Sequence, residues 1–519
     1  MDLMMDNNKV FNILNTILVT RRWNDLYQNL NPMAFGITKP NQLYNVLAKV
    51  AELIVSENDN TPDKVTIILL KSLGNSCLNT YIHGDYDKDN NNDNGKYCRK
   101  LYGKLAEEYA SKCKEELKEE KDTIFPYNGV AEWAIDYIIR NYNNSLSTER
   151  KEILRLCIQF LCNLYSFACN DINSLHCKSI KNHFVNATFQ NTLIKCISLE
   201  DTTIVKSACM FVHNALKIFN RDNFIWDDNS YVCSQLLTKI TDLECAKEAL
   251  LCLFNQANIF EKVYEDITME DKLNLLHIIH EQAKDVIYKN KKKNDTGFTF
   301  NRKLNKYLSD RFCKRSDLIL KTKDTYLDNN FEPMEVVILL DILGVLTSEA
   351  TDILYAIQEN RSLLINCCYL LKSMHMYARE PNNYFKPIQN LSDVAPASTQ
   401  KEENDLERHP AYGFKAGLIR VIGNMSYKNK QCQDIIRETD TIPLLFDCCN
   451  IDARNPLIMQ WTILAVRNLC EDNVENQKVI STFTKVGVLE NSFLKENGLT
   501  LQENEDGRTL GIVPLSEKR

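Results

Sequence analysis

Apolar residues recur at three- and four-residue intervals along most of this chain. In Val10–Leu30, Gln42–Val55, Lys64–Leu78 and Tyr97–Lys121 they fall at i, i+3, i+4 and i+7, which gathers them on one side of an α-helix. The pattern continues through Glu149–Cys169, Ile180–Ser198, Thr203–Phe219, Tyr231–Thr241 and Ala246–Phe260. Thr61-Pro62 offers an N-cap followed by a proline at the first helical position. Glycine (15) and proline (12) are scarce for 519 residues, against ordinary usage of about 7% and 5%. Few residues are left to build turns, so the predicted class is all-α, with helices joined by short connections.

The helical pattern is also periodic on a longer scale. Phe414–Leu445 and Ile458–Leu489 align throughout, with Asn424 matching Asn468, Gln433 matching Gln477 and Ile436 matching Ile480, each pair 44 residues apart. A period of about 40–47 residues carrying helices marks armadillo or HEAT arrays, in which modules too small to fold alone bury their apolar faces against the next. Weaker echoes end in asparagine at Asn75, Asn163, Asn214 and Asn255. The predicted architecture is an armadillo/HEAT-like α-solenoid, a right-handed superhelix of helical repeats.

Within the terminal repeats, Asn455-Pro456 reads as the start of a helix whose inward stripe is Ile458, Trp461, Thr462, Ala465 and Leu469. A second helix is expected over Asn476–Phe483, matched by Cys432–Thr439, and an apolar segment at Ile442–Phe446 or Val486–Leu489 opens another. The division expected along the chain is helical repeats over 1–285, with an Asp/Asn-rich insertion at 84–95, then a basic linker and helix over 286–330. A central helical repeat (331–379), a proline-containing loop (380–411), two armadillo repeats (412–506) and a tail (507–519) complete it.

Charge and cysteine usage narrow the function. A formal net charge of −7 with a pI near 5.8 argues against nucleic acid as a partner, because phosphate binding rests on clustered Lys and Arg. The most apolar run, Val336–Leu346, is interrupted by Asp341 and falls short of the roughly 20 residues a membrane span needs; no membrane insertion is expected. The start lacks the basic n-region of a signal peptide, so a cytoplasmic location is expected. Nineteen cysteines contain no C-x-x-C, which suits reduced thiols packed as small hydrophobes.

Enzyme-like and ion-like signals are weak. Asp85-x-Asp87-x-Asp89 opens like an EF-hand, but Asn90 and Lys96 stand where glycine and a bidentate Glu belong. His277 and His280 share a helix face without the order or spacing of a zincin. No phosphate-cradling glycine motif or nucleophile elbow occurs. Neither catalytic residues nor a cofactor or metal is expected. Lys289–Lys293 reads as a solvated loop or a localisation signal.

The strings GFKAGLIRVIGNMSYKNKQCQDIIRETDTIPLLFDCCNIDARNP and NPLIMQWTILAVRNLCEDNVENQKVI look like armadillo repeats and together closely resemble the C-terminal domain of the ataxin-10 family. The likeness covers about 95 residues, Tyr412 to Asp506, and is weak elsewhere. It implies a non-enzymatic scaffold that binds other proteins and self-associates, in a family associated with neuron survival, neurite outgrowth and cytokinesis. In armadillo proteins that bind extended peptides, a groove asparagine contacts the peptide backbone beside a tryptophan four residues earlier. Asn424 and Asn468 stand at the asparagine positions, but Arg420 and Leu464 replace the tryptophan, which counts against a nuclear-transport-like peptide adaptor. The sequence leaves two roles open for the asparagines, bonding within the array or contacting a partner. Arg420 and Arg467 complete the candidate groove as anchors for acidic groups, or as ordinary solvated charges.

Overall fold

The computed structural model describes residues 7–36, 40–56, 61–82, 126–143, 145–168, 184–219, 226, 228–255, 259–288, 298–322, 331–380, 383–388, 409–450, 452–483, 495–503 and 510–514. The chain forms two compact units, Met1–Asp266 and Ile267–Arg519. Each is a stack of helices, and the architecture is the all-α helical repeat the periodicity predicts.

The first unit contains α1 (Asn7–Thr20), α2 (Trp23–Asn29), α3 (Pro32–Phe35), α4 (Pro40–Ser56), α5 (Asp63–Ile82), α6 (Pro126–Asn141), α7 (Thr148–Ala168), α8 (Ala187–Ile197), α9 (Thr202–Phe219), α10 (Asn229–Leu237), α11 (Glu244–Phe254) and α12 (Ile259–Asp266). Its long helices α5, α7, α9 and α11 pack in succession, sharing a core of buried Leu69, Leu73, Leu154, Leu161, Val212 and Leu250. Fully burying each such side chain contributes about 1.5–3 kcal/mol. Tyr165, Phe184, Phe189, Phe211 and Trp226 knit α7, α8 and α9 together, with Tyr165 and Phe211 edge-to-face at 5.1 Å.

Two expected helices divide. Val10–Leu30 breaks at Arg21, whose φ of 56° is left-handed; its N–H closes the α1 end on the Ile17 carbonyl. Apolar periodicity continues across that break because both pieces face the same core. Ala246–Phe260 likewise divides between α11 and α12. The expected helix Tyr97–Lys121, the Asp/Asn-rich segment with its EF-hand-like start, Lys289–Lys293 and the apolar segment Val486–Leu489 lie outside the described residues.

The second unit contains α13 (Met269–Tyr288), α14 (Arg302–Arg315), α15 (Phe331–Leu346), α16 (Asp352–Gln358), α17 (Arg361–Tyr377), α18 (Phe414–Ser426), α19 (Lys430–Glu438), α20 (Thr441–Asp447), α21 (Ile458–Cys470) and α22 (Val474–Ser481). Its inner ladder is α13, α15, α18 and α21, again packed in succession. Among the described residues the strands are those of an antiparallel hairpin, β1 (Leu499–Glu503) with β2 (Leu510–Pro514), Leu499 opposite Pro514. Leu499 and Leu501 alternate with Thr500 and Gln502 after Gly498, whose φ is 69°. That is a two-residue period, which a search for helical spacing passes over.

The two aligned segments adopt the same local shape. Gly413 (φ 71°) and Leu457 (φ 61°) precede α18 and α21, and Lys428 (φ 49°) and Asp472 (φ 55°) follow them. Asn429 and Asn473 then cap α19 and α22, accepting from the Cys432 and Asn476 N–H groups. The segments are also nested: a Cβ on Gly423 would stand 2.8 Å from the Ala465 Cβ. Asn455-Pro456, by contrast, does not cap α21. That helix starts at Ile458 after Leu457, while buried Asn455 accepts from the Ala416 N–H of the preceding repeat and donates to Asp452.

Both ends of the proline-containing loop are pinned to the last repeats. The Tyr384 ring stacks on His409 at 3.6 Å, with the Arg454 guanidinium 4.9 Å over Tyr384. Asp452 accepts from the Ile388 N–H, and the Ile388 carbonyl accepts from Ala453. Residues 389–408 lie outside the described set.

Candidate functional site

Helix ends decide where the asparagines point. The last four carbonyls of an α-helix have no intrahelical donor, and in α18 these belong to Gly423, Asn424, Met425 and Ser426. Asn468 Nδ2 donates to Gly423 at 2.9 Å, the Tyr427 N–H to Asn424, Gln358 Nε2 to Met425 at 3.0 Å and Gln433 Nε2 to Ser426 at 3.2 Å. Two of those donors come from neighbouring repeats. The end of α21 is treated the same way: Gln433 reaches Asn468 and Glu471, Asn476 reaches Leu469, and Gln477 reaches Cys470. The aligned amides are therefore joints between modules.

The earlier asparagines do the same work in their own stack. Asn75 donates to the Pro32 carbonyl, Asn163 to Gly74, and Asn214 to Ser166 Oγ and Cys162 Sγ. Asn424 donates to Thr347 Oγ1 at 3.1 Å and sits 3.5 Å from the Gly344 carbonyl. Asn424 and Asn468 are 7% and 6% exposed. Both amides bond within the array, which is the first of the two roles the sequence leaves open for them.

Four residues before Asn424, Arg420 is held rather than free. Its guanidinium lies 5.0 Å from the Trp461 ring centroid, and Nη2 donates to Tyr288 Oη at 3.0 Å. Its stem crosses Gly344, where any Cβ would meet the Arg420 Cδ at 3.4 Å. One side chain on α18 thus spans α13, α15 and α21. Trp461 is half-buried on this face instead of fully in the core; Ile458, Thr462, Ala465 and Leu469 of the same stripe are buried. Neither Tyr288 nor Gly344 stood out in the sequence, and Tyr288 lies 132 residues from Arg420, beyond the reach of any local pattern.

Arg467 is exposed, whereas Arg420 is half-buried. Arg467 aligns with Gly423, the position against which the following helix packs, so it marks the outer side of α21. The four candidate residues therefore separate into two buried joints, one braced cation and one exposed cation.

Around Arg420 the face is mixed in charge. Lys284 and His277 are exposed on α13, and Asp341 stands at the surface of α15. Desolvation by the groups packed around it raises the Asp341 carboxyl above its usual range, with Arg420, Lys284 and His277 pulling it back. Burial pushes His280 down to about 4, and Lys284, His277 and Arg420 add to that shift. A neutral imidazole hemmed in by cations gives a divalent metal a poor setting, and no group of three or more His, Cys, Asp or Glu side chains poised for a metal occurs among the described residues. No described helix is long and apolar enough to cross a membrane.

Residues 414–511 match the family described as spinocerebellar ataxia type 10 protein domain. Ataxin-10 of Xenopus tropicalis is 37% identical over 204 residues, which is 39% of this chain and 40% of that protein. The Homo sapiens ataxin-10 is 35% identical over 196 residues, 38% of this chain and 39% of its own length. An ataxin-10 homolog of Dictyostelium discoideum reaches 48% over 107 residues, covering 20% of this chain and 18% of that one. The chain thus matches about two fifths of the length of its vertebrate relatives.

Proposed function

From a C-terminal segment that matches the spinocerebellar ataxia type 10 protein domain and is similar to ataxin-10, we propose that this chain is a non-enzymatic scaffold that docks other proteins. The observation that carries the reading is the braced Arg420. A guanidinium fixed by Trp461 and Tyr288 loses little side-chain freedom on accepting a carboxylate, so more of the contact energy appears as affinity. The aromatic face of Trp461 and the exposed Lys284 extend the contact surface. The partner is a protein segment bearing acidic side chains. Roles in neuron survival, neurite outgrowth and cytokinesis belong to this proposal by the family resemblance alone.

Self-association is part of the same reading. Ile463, Val474 and Phe483 of the last described repeat are 59%, 54% and 40% exposed, an apolar surface suited to a second copy. A cytoplasmic setting goes with the free thiols along both units.

Proximity labelling in cells, comparing the full chain with Trp461→Ala and with Arg420→Glu, tests the docking reading. Loss of a defined set of labelled neighbours in both variants, with helical content unchanged by circular dichroism, is expected. Identical labelling by all three chains would overturn it. Light scattering at low micromolar concentration tests self-association, and a strictly monomeric mass would end that part of the proposal.

A further inference from the structure

In a chain of net charge −7, the nineteen residues from Arg361 to Arg379 contain no Asp or Glu. They form α17 and the turn that closes it, in which the Arg379 N–H bonds to the Met376 carbonyl. α17 packs beside the inner ladder, on α14, α18 and α19. Its buried side, made of Leu363, Leu364, Cys367, Leu370, Leu371 and Met374, takes up those contacts.

The opposite side is one exposed line. Arg361, Ile365, Tyr369, Lys372 and Met376 follow at steps of four, four, three and four residues, and Arg379 continues the course. Steps of three and four keep side chains over one another along a helix. Tyr369 and Met376 are 56% and 58% exposed, and Ile365 is 38% exposed. Single exposed apolar side chains are ordinary, but a row of them between cations makes a contact surface. No carboxylate on the helix offsets the charge. Arg361 Nη2 donates to the Gln431 amide oxygen at 2.7 Å, and Arg379 Nη2 lies 3.3 Å from the His375 imidazole. Of the acids beyond the helix, Glu359 pairs with Arg302 and Asp447 stands 3.7 Å from His375.

We propose that this stripe of α17 is a docking surface for an acidic amphipathic helix of a partner protein. The class of ligand rests on the scaffold reading; the surface does not rest on Arg420, which spans α13, α15 and α21. The cations stand eleven and seven residues apart, roughly 16 Å and 10 Å along the axis at the helical rise. A helix laid lengthwise at a shallow crossing angle of about 20° stays in contact over that span. Carboxylates at the same intervals meet the three cations, and apolar residues between them cover Ile365, Tyr369 and Met376. Aromatic anchors ringed by charge are the usual anatomy of a protein interface. Cations interleaved with apolar groups on one line suit a facing helix of matching order. A lipid surface instead wants the apolar side chains together and the cations on the other face.

The test uses the full chain and a fluorescein-labelled synthetic helical peptide, read by fluorescence anisotropy. The peptide bears three glutamates at those intervals, with leucines between them on the same face. Saturable binding is expected, weakened about tenfold or more by Tyr369→Ala and by Lys372→Glu, and unchanged by Arg420→Glu. A peptide with lysine in place of its central glutamate should bind Lys372→Glu better than wild type. Tyr369 and Lys372 are exposed, and Met376→Ala gives a second apolar variant should either fold poorly. No saturable binding, equal binding by wild type and Lys372→Glu, or loss in Arg420→Glu alone would overturn the proposal. So would capture of phosphatidylserine vesicles without capture of the peptide, or a mass that halves in Tyr369→Ala, which would give the stripe to lipid or to a second copy. Binding that survives Arg420→Glu supports this surface whatever the fate of the Arg420 reading.

Discussion

Asn468 Nδ2 donates to the Gly423 carbonyl at 2.9 Å, so each of the last two aligned repeats satisfies the helix end of the other. Gln433 closes the circuit by donating back to Asn468 and Glu471. Leaving a buried polar group unsatisfied costs about 1–3 kcal/mol. Asn468→Ala should lower stability by that amount, and Gln433→Leu by more, since its amide serves three carbonyls. Urea midpoints would show it; midpoints equal to wild type would mean the amides are not joints.

Gly423 admits the next helix. A Cβ there would meet the Ala465 Cβ at 2.8 Å and Cα at 2.9 Å, and one of those contacts is backbone, which cannot swing aside. Gly423→Ala should cost about 1–3 kcal/mol through overpacking. Arg467→Ala, at the aligned but exposed position, should stay within about 0.5 kcal/mol. Thermal melts of the two variants give the comparison, and equal effects would refute the assignment.

The left-handed residues ahead of α18 and α21 give a reciprocal pair. Leu457 adopts a φ of 61° with its side chain 59% exposed, whereas the aligned residue is Gly413. Left-handed backbone costs an L-residue about 1–2 kcal/mol, which glycine escapes. Leu457→Gly should raise stability by up to about 1 kcal/mol, and Gly413→Leu should lower it. Calorimetric midpoints moving in the opposite sense would contradict the geometry.

Buried charge holds α14 to α15. Glu335 is fully buried and accepts from Arg311 Nε at 2.7 Å, with Arg315 Nε 3.4 Å from its other oxygen. Removing one member strands the others, a loss of about 3–5 kcal/mol. Glu335→Ala should therefore unfold the second unit at far lower urea. A loss below 1 kcal/mol would show that water reaches the site.

Acid should act through His280. Its folded value near 4 lies below the unfolded value of 6.5 because burial disfavours the cation. Above pH 6.5 both states are neutral and the group contributes nothing. Between about 6.5 and 4 the unfolded chain alone takes up the proton, so stability falls as pH falls through that window. His280→Gln should flatten this part of a urea-midpoint profile. An unchanged slope would assign the effect elsewhere, His213 and His375 being depressed by burial as well.

Much of this protein is written locally. Apolar spacing set the helices, and the 44-residue match between Asn424 and Asn468, Gln433 and Gln477 exposed the repeat, because one module meets the same neighbours as the next. The asparagines' positions were legible too. Their partners were not: Gly74 lies 89 residues from Asn163, and Thr347 lies 77 from Asn424. Nor could periodicity see the break at Arg21 or the left-handed Leu457, since neither disturbs the spacing of apolar side chains. Bracing of Arg420 between Trp461 and Tyr288 comes from stacking alone. Apolar spacing determines which face of a helix is greasy; only packing brings residues from separate helices within contact distance, where a guanidinium meets an aromatic ring and an amide meets the carbonyl it satisfies.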